Sequence, residues 1–513
     1  MTTKLVEALQ GAGAALTQEQ GPVSRRRLAT LGATALGSVA ARAFSSDPLP
    51  APAPPPGDYA PGIVQNWTNA GVRLARRISF GVDATFNKKA RIRGFTRILE
   101  EQLNFTGIQD SICENVVNRR WPRVNMTMRQ LKDLGDDWVT QQHLEEATIY
   151  RAVFSQRFLY QRMCEFWSDH FSTWSDKVGG PLQLHWYRDC IQRHAMGNFY
   201  ALLRSIAFSP AMLEYLDNAD NDCNNPNVNF ARELLELHSV SVKSGYTPDD
   251  ILSVALCFTG WGWEWDRDKG TWGTFKYNPD HHVVGAKVVL GQIIPSGQRE
   301  QGEAVLALVF NHPSCATFIC TKLCKYFLGD GVTTNQINAA AAEFRRTNGD
   351  IRSVLRKILT VANIMGSEPK FKRPFHFVAN ACKSLNVSID DMWNLKYHQI
   401  GGCGHYPFNW ETPDGYPDRF DFWGPSMGPR LSFAFEIANN RVWGVHGDLP
   451  TMIGADRDPD RVLQILNDAF FAGEMASVDR DALEAYLRGG LLDDERLRGA
   501  AALCIGSPSF QWY

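Results

Sequence analysis

Between Asn227 and His238 the chain reads Asn-Val-Asn-Phe-Ala-Arg-Glu-Leu-Leu-Glu-Leu-His. Two carboxylates (Glu233 and Glu236), one guanidinium (Arg232) and one imidazole (His238) fall within about three helical turns. Beside Leu234, Leu235 and Leu237 such groups are costly to bury unless they are paired or bound to something. Carboxylates so placed can give or take protons in catalysis. On a regular helix Arg232 and Glu236, four apart, are able to pair. His238 would share a face with Ala231, Leu234 and Leu235, with Glu233 roughly 140° away and Glu236 roughly opposite. One metal therefore cannot use His238 with both glutamates. The plain alternative is a buried ion-pair helix.

Two further groups of residues could carry chemistry. His170 lies on a helical face with Met163, Phe166 and Trp167, next to Asp169, a candidate acid or base. A histidine on such a face is either a satisfied core residue or a ligand. The loop before Asn227 carries Asp217, Asp220, Asp222 and Asn224, hard oxygen donors of the kind Ca²⁺ takes. Asp220, Asp222 and Asn224 imitate the first three ligands of an EF-hand. However, Asn225 stands where that loop needs Gly, and Ala231 where it needs the bidentate Glu. A looser Ca²⁺ loop competes with a solvated, helix-capping turn.

The 227–238 run resembles the central motif of a large bacterial family catalogued only as domain of unknown function 1800. That family typically reads Asn-Glu-Asn-Tyr-Ala-Arg-Glu-Leu-Met-Glu-Leu-His, so Val228 and Phe230 are departures here. Other blocks occur in family order. They are Leu74-Ala-Arg-Arg-Ile-Ser-Phe-Gly81, Phe166-Trp-Ser-Asp-His-Phe171, Ala195-Met-Gly-Asn-Phe199, Pro210-Ala-Met-Leu-Glu-Tyr-Leu-Asp217, Phe258-Thr-Gly-Trp261, Lys372-Arg-Pro-Phe375 and Pro413-Asp-Gly-Tyr-Pro417. The resemblance spans about residues 66–430. It implies kinship and no assigned activity. By spacing to Lys287 it also matches His282 to a family histidine, although Val283 replaces the acid found next to it in the family. A His170, His238 and His282 set would suit Zn, Fe or Cu. The resemblance further suggests an exported sulfatase-like partner.

Helical periodicity dominates from residue 66 onward, with runs expected at 68–79, 88–104, 139–170, 181–207, 227–243, 247–258, 313–328 and 371–385, among others. Thr247-Pro248 and His312-Pro313 are start signals, a cap followed by Pro at the first helical position. Strand alternation is best between Gly273 and Leu290, which predicts a small hairpin. The expected fold is mainly α, a large multi-helix domain over 66–425 with a β-hairpin insertion and a C-terminal helical subdomain over 426–513.

Residues 1–45 read as a twin-arginine-type signal peptide. Ser24-Arg25-Arg26-Arg27-Leu28 precedes a weakly apolar run that ends at Ala41-Arg42-Ala43. A Pro-rich linker occupies 46–65. That predicts a periplasmic or secreted protein with no transmembrane anchor. The net charge of −2 in 513 residues gives no electrostatic case for nucleic acid. Eleven Cys show no zinc-knuckle spacing. Fifteen Trp are many, and Trp261, Trp263 and Trp410 could stack a sugar ring, the alternative being core packing. No P-loop, Gly-x-Ser-x-Gly or dinucleotide fingerprint sits in a strand-to-helix context. The reading is an exported, metal-dependent enzyme acting on a glycan or similar polymer. A metal-dependent oxidoreductase is one alternative, and a non-catalytic binding or assembly factor is another.

Overall fold

The computed structural model describes residues 67–81 and 83–513. The signal peptide and linker expected over 1–65 lie outside the described residues. Within them the fold is mainly α, with 24 α-helices and three two-stranded antiparallel ribbons.

Local chemistry sets the helix ends. Helix α1 (Ala70–Ile78) starts at Asn69, whose side chain accepts from the Val72 amide. The single run expected over 139–170 is two helices, α2 (Asp137–Phe154) and α3 (Phe158–His170). Ser155 breaks it, its hydroxyl donating to Asp110 at 2.7 Å and accepting from the Arg157 amide at 3.1 Å. The 227–243 run becomes a short helix, α4 (Asn229–Glu233), which widens into a π-helical turn over Leu234–Ser239. Helix α5 (Pro248–Cys257) carries the Thr247–Asp250 capping box, and α6 (Pro313–Leu328) begins at His312 and Pro313, both as the start signals predict. Helix α7 (Pro374–Ser384) likewise starts on a proline.

The hairpin expected over 273–290 does not form as a single unit. Strand β1 (Trp261–Trp263) pairs with β2 (Phe275–Tyr277), and β3 (Lys287–Val289) with β4 (Gln292–Ile294). The reason is the turn at Leu290-Gly291, where both residues have positive φ, 50° and 73°. That geometry suits a two-residue hairpin turn and folds β3 onto β4 rather than onto β2. A third ribbon joins β5 (Ser388–Ile389) to β6 (Val445–His446).

The C-terminal helices are not set apart at 425. The described residues up to 513 form one compact unit, and one apolar core runs from Val72 to Phe510. Helix α8 (Met427–Ala438) packs on α9 (Asp494–Gly506). Tyr513 and Lys370 exchange two backbone hydrogen bonds of 2.9 Å, and Lys372 donates to the Gln511 carbonyl at 2.8 Å. The final segment is thereby tied to the entrance of α7. All eleven cysteines are unpaired, and all but Cys223 are buried. Among the described residues no single helix is long and apolar enough to cross a membrane, although one bent pair, Glu300–Asn311 with α6, matches by length and composition.

Candidate functional site: an aromatic pocket over a buried ion network

Helix α3 presents Gln161, Glu165, Ser168 and Asp169 to one side, then Ser172 and Thr173 beyond its end. These residues and the segment His405–Tyr416 line a pocket of about 570 Å³, part of it open to solvent. Its remaining walls are aromatic, from Phe80, Trp186, Tyr187, Phe375, Phe408 and Trp410. Trp186 and Tyr187 come from a second π-helical turn, Trp186–Gln192, and such turns recur at functional sites.

Beneath the pocket lies a charge network. Arg373, at the start of α7, pairs with Asp169 and also reaches Asp418 at 3.3 Å and Glu165 at 3.7 Å. Glu165 accepts from His376 Nε2 at 2.6 Å and from the Tyr326 hydroxyl. Arg162 Nη1 lies 2.9 Å from His376 Nδ1, and its Nη2 donates to Tyr513 Oη at 3.1 Å. Lys370 closes the network on Asp418.

The two carboxylates one turn apart on α3 titrate in opposite directions. Burial works against the charge of Glu165, but His376, Arg162 and Arg373 together hold it well below the usual carboxylate range. Burial pushes Asp169 up to about 6; Arg373 opposes this, while the charges of Glu165 and Asp418 add to it. Burial and Arg162 push His376 down to about 3, with Glu165 opposing them. A pair of acids driven apart by environment is the usual sign of divided acid and base roles.

Three buried polar atoms in the pocket wall have no hydrogen-bond partner among the described residues: Thr173 Oγ1, Trp186 Nε1 and His405 Nδ1. Buried polar atoms are nearly always satisfied, and a polar ligand or solvent in the pocket would supply these. Tight packing fixes the loop opposite. At Gly415 φ is +74°, and a Cβ there would lie 2.1 Å from the Asp169 carbonyl oxygen. Only glycine fits, which explains its place in the Pro413–Pro417 block. Tyr416 Oη then donates to the Tyr406 carbonyl at 2.7 Å.

The residues singled out from sequence divide sharply. Asp169 and Trp410 lie in this pocket. Trp261 does not, being fully buried among Phe208, Phe258 and Phe275, and Trp263 donates to Glu214 at 2.9 Å. Neither is placed as a stacking platform there.

His170 and His238 do meet, with ring centroids 6.0 Å apart. His170 donates through Nε2 to the His238 carbonyl at 3.2 Å, while His170 Nδ1 and His238 Nε2 are buried without partners among the described residues. Burial holds His170 well below its usual range and His238 down to about 3, with nearby Lys322 adding to both. His282 is elsewhere. Its Nδ1 lies 2.8 Å from the Thr259 carbonyl and its Nε2 3.0 Å from Gln301 Oε1. Both of its nitrogens face protein oxygens, so the three-histidine set is not assembled.

The aspartate loop also has other work. Asp217 pairs with Lys177 at 2.5 Å and accepts from Asn229 at 3.1 Å. Asp222 accepts the Asn224 and Asn225 amides in a turn, and Asp220 is exposed. Buried Asn218 and Asn221 pin the loop to the Trp261 and Ala255 carbonyls. Among the described residues, three ligand atoms within 4.8 Å of one another occur only at Asp110, Cys113 and Glu114. There, Ser155 and Arg151 already engage the two carboxylates. Arg232 is exposed and forms no ion pair with Glu236, because the π turn changes the register that pairing needs. Glu233 is raised by burial and by Glu236, with Arg232 opposing.

Sequence reasoning missed Glu165, His376, Arg373 and His405 as site residues. Glu165 was within reach, since it lies four positions before Asp169 and so shares its helical face. Arg373, Phe80 and Tyr416 sit inside blocks that carry the family resemblance. Those blocks, distant in sequence, converge on this one pocket. No match is found among curated proteins or among solved structures. The family model described as protein of unknown function (DUF1800) matches residues 73–512, and the chain belongs to that family.

Proposed function

We propose that the protein is an exported enzyme that cleaves a glycan or similar polymer by acid–base chemistry in the pocket over α3. The observation that carries this is the Glu165–Asp169 pair. One carboxylate is held ionised by its ion network and the other is raised toward neutral pH, both under aromatic walls. Asp169 would give a proton to the leaving oxygen as the glycosidic C–O bond breaks, water would add to the sugar carbon with its proton passing to the Asp169 carboxylate, and the fixed charge of Glu165 would stabilise positive charge developing on the sugar ring. Trp410 would offer a flat face to that ring, and the atoms of Thr173, Trp186 and His405 that are unpartnered among the described residues would offer hydrogen bonds to its hydroxyls. Export is supported by the Arg25-Arg26 signal pattern.

The test is a polysaccharide panel scored for new reducing ends. Asp169→Asn should lower the rate by about 10²–10⁴-fold with circular dichroism unchanged. A wild-type rate in that variant would overturn the assignment of Asp169. Wild-type protein that cleaves nothing in the panel but binds one polymer would favour a binding or assembly factor.

A metal-dependent version, hydrolytic or oxidative, is favoured by one observation, the two buried and unpartnered nitrogens of His170 and His238. Metal analysis of protein from its native host, with His238→Gln as the comparison, decides it.

A further inference from the structure

Beside the pocket over α3 lies a second cavity, of about 450 Å³ with part of it open to solvent. Phe80 lines both. Trp67, Phe471, Phe510 and Tyr513 form much of its wall, but two cations also line it, Arg76 and Lys372. The Arg76 side chain is about 10% exposed and Lys372 is 5% exposed. Long cationic side chains are almost never buried this deeply unless they are paired.

Here the pairing is incomplete. Lys372 donates to one carbonyl, that of Phe510, at 2.5 Å, and lies 4.1 Å from the centre of the Phe510 ring, and among the described residues it has no carboxylate partner. Arg76 uses Nη2 on the Phe471 carbonyl and on Glu474, and its buried Nη1 has no partner. Glu474 Oε1 is shared, accepting the Thr68 and Asn69 amides and lying 3.9 Å from Arg91, while its Oε2 faces Arg76 at 3.3 Å. Arg73 and Arg430 add positive charge around the two cations. Burial, with Arg76 and Arg430, holds the Lys372 ammonium well below its usual range, as expected for a cation short of an anion.

We propose that this cavity is an anion site, in which Arg76 and Lys372 bind an oxyanion group: a carboxylate, phosphate or sulfate. The site stands independently of the catalytic reading, because it shares only the Phe80 ring with the pocket over α3.

The experiment titrates the full chain with sodium phosphate, sulfate or acetate against chloride at equal ionic strength, following the melting temperature. Ion chromatography of denatured protein identifies any anion carried through purification. A saturable rise with at least one anion is expected, whereas general salting effects rise without saturating. A response to acetate alone would assign the ligand group as a carboxylate, and a response to phosphate or sulfate as a tetrahedral oxyanion. Lys372→Met should weaken the apparent affinity at least tenfold. Without added anion it should melt no lower than wild type, since an uncompensated buried charge is gone. The proposal is overturned if no anion gives a saturable shift and none is released on denaturation. It is overturned equally if Lys372→Met binds as wild type does. Should that variant fail to fold, equilibrium dialysis of wild type with radiolabelled phosphate and sulfate and labelled acetate decides the matter alone.

Discussion

Two pairs of acidic residues sit three or four positions apart on helices, and the molecule treats them in opposite ways. Glu165 and Asp169 lie on a regular α-helix, face one pocket, and are bound into a network of Arg373, Arg162, His376 and Tyr326. Glu233 and Glu236 flank the junction between α4 and its π turn, half-buried, with Arg232 pointing charge into solvent. By sequence the second pair is the richer motif. By structure the first has the environment that perturbs carboxylates. The difference teaches that the density of polar residues along the chain is a poorer guide than the partners that the fold brings from far away.

The sharpest way to break this comparison is to remove the counter-charge of the first pair. Arg373→Met leaves Asp169 and Asp418 without it and should destabilise by about 3–5 kcal/mol in urea unfolding, the usual range for breaking one side of a buried pair. A loss of less than about 1 kcal/mol would mean that the network does not hold the fold.

Gly415→Ala comes next. Positive φ and the Asp169 carbonyl at 2.1 Å from the new Cβ both oppose it, so a loss of about 1–3 kcal/mol is expected. Activity, once found, should fall with it, because the loop can move only by leaving Asp169. Unchanged stability would show that the loop is not clamped there.

A pH series sharpens the comparison further. The Asp169 carboxyl is raised to about 6 in the folded state, against about 3.9 unfolded. Its contribution to stability is therefore fully present below about pH 4 and is lost as pH rises through about 6. Asn cannot ionise, so the stability of Asp169→Asn relative to wild type should improve across that window. Glu165 is depressed, so its contribution runs the other way and is lost on acidification. A flat difference between pH 4 and 7 would remove the raised carboxyl.

The smallest effect is expected at the richer motif. Arg232→Ala should change stability by no more than about 0.5 kcal/mol, as exposed substitutions do. A loss above about 2 kcal/mol would restore the ion-pair helix that the sequence suggests.

The helical class, the Thr247 and Pro313 start signals and the one-sided face of α3 are legible in the sequence, because each depends on residues within a turn or two. The family blocks also mark Asp169, Arg373, Gly415 and Tyr416 without any geometry. Relations that lack a local signature are not legible. His376 becomes a partner of Glu165 across 211 positions, and Tyr326 across 161. The π turn at 234–239 defeats angles reckoned at 100° per residue, which is why the predicted Arg232–Glu236 pair is absent. His282 resembles a ligand by spacing, yet Thr259 and Gln301, 23 and 19 positions away, take up both its nitrogens.

The convergence of distant segments also governs how the chain reaches its native state. Arg373 meets Asp169 across 204 positions and Tyr513 meets Arg162 across 351, and contacts of such sequence separation slow folding. Until they form, Asp169 and Glu165 on α3 are bare charges that favour solvent over burial. Amides around Arg373 and His376 should exchange with solvent only on global opening, so hydrogen exchange there reports the integrity of the whole unit rather than of one helix.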